Sequence, residues 1–229
     1  MSPLVSMNTT PPEAHMPRRS FLIFKRIADV FFSLMLCLLL LPLGLILALV
    51  SAINTKASPL FIQKRVGRNG KLFSCLKFRT MSKAAPANVA TCDLNAKKYI
   101  SRIGSLMRRS SLDELPQLWN ILRGDMSFVG PRPIIPEEED LHRLRRIHGA
   151  EAVRPGLTGW AQINGRDNLR ASKKAFMDGY YAHHACLKLD LQILLKTVLY
   201  VVSSKDIADG REQLTDASEE RTFRCRSAS

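Results

Sequence analysis

The longest uncharged stretch of the chain, "VFFSLMLCLLLLPLGLILALV", runs from Val30 to Val50. As one straight helix it would reach roughly 32 Å, about the thickness of a hydrocarbon core. It is too long for the apolar part of a signal peptide, and no small-residue cleavage site follows it. Two features argue against a simple span. Pro42 lies near the middle, where it removes a backbone donor and crowds the carbonyl of Leu38, so a kink is expected. Both flanks are basic, with Arg18, Arg19, Lys25 and Arg26 before the stretch and Lys56, Lys64 and Arg65 after it. Basic flanks prefer the cytoplasmic side, so no single orientation satisfies both. A helix that enters, breaks at Leu41-Pro42 and leaves by the same face satisfies both, provided that the broken backbone finds partners. The pattern leaves span and hairpin open, and the flanks favour the hairpin.

Beyond this stretch the periodicities are those of a mixed domain. "LFIQKRVGRNGKLFSCLKFRTM" predicts two strands around Asn69-Gly70, a hairpin-turn dipeptide. Alternation along the second strand places Cys75, Lys77 and Arg79 on one face. Residues 82–95 predict a mobile loop and 97–109 a helix with Ile100, Ile103, Leu106 and Met107 on one side. "GPRP" (130–133) cannot continue a regular element, so it either presents Arg132 from a stiff loop or is only a rigid corner. "PEEEDLHRLRRIHG" (136–149) has its acids first and its basic residues late, as a helix macrodipole favours. Glu137, Glu138, Glu139 and Asp140 therefore read as a solvated helix start and not as metal ligands. "RPGLTGWAQINGRD" (154–167) predicts a loop or short strand, with Trp160 either packed or offered as a stacking surface. Residues 172–185 and 188–202 predict two helices. The second carries Leu187, Leu191, Leu194, Leu195, Val198 and Val202 at helical spacing, as a core-packed or a membrane-lying helix would. The chain thus divides into a disordered segment 1–17, a membrane-associated region 18–55, a catalytic-sized domain 56–203 and a polar tail 204–229. The fold class is α+β: a re-entrant helix hairpin plus a small α/β domain with a β-hairpin and amphipathic surface helices.

Charge changes the picture more than composition does. A formal net charge of +14 requires an anionic partner, whether nucleic acid, an anionic membrane surface or phosphorylated substrates. A membrane-tethered nucleic-acid binder is the alternative from another class. It lacks a recognised binding motif, and much of the charge flanks the apolar stretch. The five cysteines are scattered, with no C-x-x-C pair, so neither a disulfide framework nor a zinc site is expected.

The stretch "RRSSLDELPQLWN" (108–120) holds an adjacent acidic pair, Asp113 and Glu114. Ser111-Leu112-Asp113-Glu114 fits the capping box, in which Ser and Glu satisfy the first free donors of a helix. The same turn also suits an ionised carboxylate, because free N–H groups and the cations Arg108 and Arg109 stand nearby. Such an aspartate can attack phosphorus to give an acyl phosphate, or hold Mg²⁺ together with substrate phosphates. Both readings stay open on local chemistry. Lys77 and Arg79 beside such a centre would hold a diphosphate.

Three segments in this order, "QKRVGRNGKLFSCLKFRTM", "SLDELPQLWNILRGDMSFVGPRP" and "RPGLTGWAQINGRD", resemble the bacterial sugar transferases. These are the monotopic phosphoglycosyl transferases that start glycan assembly on a lipid carrier, and the likeness runs from about Lys25 to about Val202. The chain resembles the short, catalytic-only form of the family. The resemblance implies a re-entrant helix broken at Pro42, on the bacterial inner membrane, with the catalytic domain facing the cytoplasm. It implies transfer of a sugar 1-phosphate from a UDP-sugar to undecaprenyl phosphate with Mg²⁺, starting exopolysaccharide, lipopolysaccharide O-antigen, capsule or glycan assembly. By the same resemblance Asp113 is the covalent nucleophile and a metal ligand, and Glu114 is its partner. Lys77, Arg79, Arg108 and Arg132 then contact phosphates. A homodimer is compatible with this reading. The sequence departs from the family at "YYAHHACLKLDL" (180–191), where the Tyr and Asp190 are kept but a usual Trp-Ser run is missing. That departure bears on which sugar is accepted.

Overall fold

The computed structural model describes residues 17–85, 99–165 and 169–203, with side chains through residue 199. The segment expected to be disordered (1–17, apart from Pro17), most of the expected 82–95 loop and the 204–229 tail lie outside the described residues. Two helices open the chain, α1 (Arg19–Leu39) and α2 (Leu41–Thr55), bent by 66° at their junction. The break falls at Leu40, and Pro42 sits in the first turn of α2, where a missing N–H leaves no intrahelical bond unmade. Pro42 thus starts a second helix and does not kink a continuous one. No single described helix is long and apolar enough to cross a membrane, whereas the bent pair qualifies by length and composition.

The pair is inside out by the standards of a globular protein. Ile27, Phe31, Leu38, Leu45, Leu49 and Ile53 are exposed, while Asp29, Ser33, Ser51 and Thr55 are buried. A buried polar group needs a partner, and each of these has one. Asp29 Oδ1 accepts the Phe128 N–H (3.2 Å), and Ser51 Oγ donates to the Arg79 carbonyl (2.7 Å). Ser33 Oγ donates to the Val30 carbonyl (3.1 Å) and Thr55 Oγ1 to that of Ser51 (2.8 Å). Two of the basic residues in the early turns of α1, Lys25 and Arg26, face inward, not toward lipid headgroups. Lys25 Nζ meets Asp190 at 2.6 Å, and Arg26 donates to the carbonyls of Ile121 and Leu122 at 2.6 and 2.8 Å. Both carbonyls lie in the last turn of a helix, where the intrahelical donors run out.

The soluble elements follow the predicted order. Strands β1 (Leu60–Val66) and β2 (Leu72–Phe78) pair antiparallel, with Leu60 opposite Phe78 and Val66 opposite Leu72. Asn69 (φ 55°) and Gly70 (φ 72°) both adopt the left-handed conformation, as the expected hairpin turn requires. Helix α3 (Arg102–Arg109) is capped by Ser101, whose Oγ accepts the Gly104 N–H at 2.9 Å. After it come a 3₁₀ turn at Leu112–Glu114 and helix α4 (Gln117–Arg123). Strand β3 (Ser127–Val129) pairs parallel with β4 (Gly156–Thr158), a small sheet that the sequence did not lead us to expect. Between them runs α5 (Glu139–Ile147), shorter at its start than predicted because Glu138 forms its N-cap. The one-turn α6 (Trp160–Ile163) leads on to α7 (Ala171–His184) and α8 (Leu187–Ser203).

The main core joins Val129, Ile163, Tyr181 and Ile193, and a second cluster joins Phe73, Cys75, Leu118, Ile121 and Met126. Along α8 Ile193 is buried and Leu189 and Leu194 pack against the core, while Leu187, Leu191, Leu195 and Val198 are exposed. Of the described side chains in the predicted apolar stripe only Leu194 packs inward, and core packing does not account for the exposed four. The predicted α3 face is split, with Met107 buried and Ile103 and Leu106 exposed. Trp160 packs against the core and stacks on Tyr180, with ring centroids 5.9 Å apart.

The Lys25–Asp190 pair ties α1 to α8, and Tyr181 Oη donates to Asp190 Oδ1 at 2.7 Å from a third helix. Asp190→Ala leaves a mostly buried ammonium unpaired and is expected to destabilise the fold by ~3 kcal/mol. Chemical denaturation in detergent measures this. The paired change Lys25→Met with Asp190→Leu is expected to recover most of the loss.

Candidate active site

The acidic pair lies in the 3₁₀ turn between α3 and α4, and its backbone rules out the capping box. Ser111 sits at φ 57°, ψ 16°, a left-handed conformation, whereas an N-cap residue needs an extended one. Its hydroxyl makes no capping bond, and the Glu114 N–H instead reaches the Ser111 carbonyl at 3.2 Å. Released from capping, the Glu114 side chain turns toward two cations. Its Oε1 accepts from Lys77 Nζ at 2.7 Å and from Arg132 Nη2 at 2.9 Å. Burial pushes the Glu114 carboxyl up, but the charges and hydrogen bonds of Arg132 and Lys77 outweigh it. They hold the group well below the usual carboxylate range. Glu114 is ionised at neutral pH and is a poor proton acceptor there.

Asp113 is the opposite case. It is 7% exposed, and no described residue donates a hydrogen bond to its carboxylate. Burial pushes its pKa above the ordinary value; Lys77, Arg108 and Arg132 pull it down, and the Glu114 charge pushes it up again. The sequence reading names the free N–H groups and nearby cations that favour the ionised form; the structure adds burial, which acts in the opposite sense and is the largest effect. Two adjacent carboxyls with pKa values pushed apart have divided roles, one a fixed anion and the other a more basic group with free lone pairs.

Each cation is held by its own element. Asn120, in the middle of α4 and 1% exposed, accepts the Leu76 N–H at 3.0 Å and donates to the Ser74 carbonyl at 2.8 Å. Its amide pairs with the edge of β2 as a neighbouring strand would, and this fixes Lys77 opposite Glu114. Arg108 Nε donates to Thr80 Oγ1 at 2.8 Å, just past the end of β2. One turn earlier Gly104 presses on the Thr80 backbone, where a Cβ would overlap the carbonyl oxygen. Arg132 follows the Gly130 corner. Gly130 and Gly156 approach so closely that a Cβ on either would meet the other's chain. The Arg132 carbonyl in turn accepts from Arg145 Nη1 at 2.8 Å, and Arg145 is clamped by Asp178 of α7 at 2.6 and 2.9 Å.

The structure therefore brings together Asp113, Glu114, Lys77, Arg108 and Arg132. It does not bring Arg79 to the same contacts. Arg79 Nε donates to the Ser58 carbonyl at 3.0 Å, and its guanidinium lies 5.5 Å from the centre of the Phe61 ring. The Arg79 N–H still pairs with the Pro59 carbonyl at 2.8 Å, so the backbone stays extended there while the side chain turns to Ser58 and Phe61. Asn120, Arg145 and Asp178 were missed by the sequence reading. Their signal was weak: an Asn within a helix is a poor helix former without another purpose, and Arg and Asp within helices look solvated. Among the described residues no group of three or more His, Cys, Asp or Glu side chains is gathered as a metal site. Mg²⁺ needs no such group, because it binds through one or two carboxylates and substrate phosphates. The free lone pairs of Asp113 fit that donor set, whereas Glu114 Oε1 is already occupied.

The Asp113 carboxyl of the metal-free protein is expected to titrate above the 3.8 of an ordinary aspartate. Lys77→Met removes the strongest opposing charge and should move the midpoint higher. Carbon-13 carboxyl shifts across a pH series measure both. A midpoint lowered by Lys77→Met would contradict this balance of burial and charge.

The comparisons with known proteins agree on one family. The model of the bacterial sugar transferase family matches residues 20–204. The exopolysaccharide production protein ExoY of Sinorhizobium fredii is 36% identical over 198 residues, covering 80% of this chain and 87% of that protein. The UDP-glucose:undecaprenyl-phosphate glucose-1-phosphate transferase of Caulobacter vibrioides is 35% identical over 207 residues, covering 86% and 77%. The UDP-galactose-lipid carrier transferase of Erwinia amylovora is 36% identical over 203 residues, but the match covers 41% of that protein. The chain thus spans most of the first two relatives and less than half of the third.

Proposed function

Because the chain belongs to the bacterial sugar transferase family, we propose that it transfers a sugar 1-phosphate from a UDP-sugar to undecaprenyl phosphate. The observation that carries this reading is the turn itself: a buried carboxylate with free lone pairs, set beside a partner that is ionised at neutral pH and three cations. Asp113 attacks the phosphorus that bears the sugar. An Oδ–P bond forms, the bond to the nucleotide oxygen breaks, and UMP leaves with the electron pair. An oxygen of undecaprenyl phosphate then attacks the same phosphorus, gives the lipid diphosphate sugar and returns the Asp113 carboxylate. Both steps are displacements at one phosphorus, so each bulky substrate uses the same site in turn.

Lys77, Arg108 and Arg132 neutralise the phosphate oxygens as charge shifts onto the leaving group. Arg132 suits this role because its side chain is 45% exposed while its backbone is fixed from behind by Arg145. Glu114 is a positioning group: it holds Lys77 and Arg132 and exchanges no proton. Arg79 supports the strand end and takes no part in phosphate contact. A bound Mg²⁺, held by Asp113 and the diphosphate, would supply further charge neutralisation.

The lipid acceptor requires a site at a bilayer surface. The apolar outside of α1 and α2, their 66° bend and the exposed stripe of α8 support a re-entrant insertion from one leaflet. The cytoplasmic face of the inner membrane is the side where a nucleotide sugar is present. The nucleic-acid alternative is disfavoured by where much of the charge goes, since Lys25, Arg26 and Arg145 are turned inward onto protein acceptors.

Membranes carrying the protein, given a radiolabelled UDP-sugar and undecaprenyl phosphate, are expected to yield a labelled lipid product. Asp113→Asn should reduce turnover at least ~10³-fold and Arg132→Gln ~10²-fold. Turnover retained by Asp113→Asn would end the nucleophile assignment. A panel of UDP-sugars read by UMP release identifies the sugar.

A further inference from the structure

A second basic cleft opens apart from the Asp113 turn, and none of its lining residues belongs to that cluster. It is open to solvent and lies against the early turns of α1. Lys25 and Arg26 come from α1, Arg68 from the β1–β2 turn, Ser127 from the start of β3, and Arg154 from the segment before β4. Chain segments far apart in sequence therefore deliver four cations to one place.

Their anchors fix the stems without cancelling the charge. Arg154 Nε donates to the Gly124 carbonyl at 2.9 Å, and Arg68 Nε to that of Ala152 at 2.8 Å. Arg26 donates to the Ile121 and Leu122 carbonyls. All of these acceptors are neutral. Lys25 is matched by Asp190, which leaves three guanidiniums and, among the lining residues, the single carboxylate of Asp29. Burial and the charges of Arg26 and Arg68 lower the Arg154 pKa, as expected when like charges are held together out of water. The terminal nitrogens of Arg68 and Arg154 make no hydrogen bond among the described residues. Ser127 adds an independent sign. It lines the same cleft and is 1% exposed, and its hydroxyl is buried without a partner. A buried hydroxyl without a partner beside excess positive charge is a donor set that an oxyanion completes.

We propose that this cleft binds a phosphate-type oxyanion, held by the free guanidinium ends of Arg68 and Arg154 with the Ser127 hydroxyl as a neutral donor. The site stands apart from the transferase reading and does not depend on it. Two sources offer the same chemistry, a phospholipid headgroup beside α1 and a free phosphate ion.

The test titrates inorganic phosphate into the delipidated full chain in a maltoside detergent at constant chloride, with thermal unfolding as the readout. Arg132→Gln disables the anion contact at the Asp113 turn, and Arg68→Gln disables the cleft at an exposed position that is safe for folding. The Tm of wild type and of Arg132→Gln is expected to rise alike with phosphate. Arg68→Gln should need ~10-fold more phosphate for the same shift. An equal response from Arg68→Gln and wild type, or no response from wild type, overturns the proposal. Ser127→Ala, a second variant without a charge change, should also weaken the response. Repeating the titration in nanodiscs separates the sources. A response lost in phosphatidylglycerol discs but kept in phosphatidylcholine discs assigns a lipid headgroup, whereas the same response in both assigns the free ion.

Discussion

One carboxylate oxygen, Oε1 of Glu114, holds the site together. It accepts from Lys77 on β2 and from Arg132 beyond β3, and so ties three chain segments at a single point. Its negative charge lets two cations sit side by side without an external anion, and they in turn keep it ionised. Each hydrogen bond to a charged group contributes about 2 kcal/mol in such a setting. The arrangement is reinforced from behind, by Asn120 against β2 and by the Asp178–Arg145 clamp on the Arg132 carbonyl. With Glu114 committed in this way, its neighbour is the carboxyl left with free lone pairs. Division of labour within the pair therefore follows from packing and not from any difference in side-chain chemistry.

A second constraint places this turn in space. α1 and α2 expose their large apolar side chains and bury Asp29, Ser33, Ser51 and Thr55. In a soluble protein that pattern would be costly twice over. It is the pattern that the proposed re-entrant insertion requires, with the polar positions docking the soluble domain and the apolar ones left for acyl chains. Ser51 shows the coupling directly. Its hydroxyl, inside an apolar helix, donates to the Arg79 carbonyl at the end of the strand that carries Lys77.

How much of this was legible in the sequence depended on the range of the interaction. The Asn69-Gly70 hairpin, the helices near 172–185 and 188–202 and the break near Pro42 were readable, because turn chemistry and periodicity are local. The capping box at Ser111 was misread for an equally physical reason. The motif fits four residues, but Lys77 and Arg132, 37 and 18 residues away, compete for Glu114 and win. Arg79 was placed beside Lys77 by alternation alone, whereas its side chain lies against the Ser58 carbonyl and the Phe61 ring. Lys25 and Arg26 read as part of a basic cytoplasmic flank until Asp190 and the end of α4 are found beside them. The resemblance to sugar transferases supplied Asp113 as the nucleophile, a role that residue spacing alone left undecided.

The mechanism stands or falls on Asp113 carrying the sugar phosphate between the two substrates. The decisive experiment incubates the full chain with its UDP-sugar in the absence of undecaprenyl phosphate, quenches in acid and maps the peptides by mass spectrometry. A covalent route predicts one molar equivalent or less of released UMP and a sugar-phosphate adduct on the peptide that contains Asp113, lost when the lipid acceptor is added. An adduct on another residue would contradict it. So would UMP release that begins only with the acceptor and leaves no adduct at all.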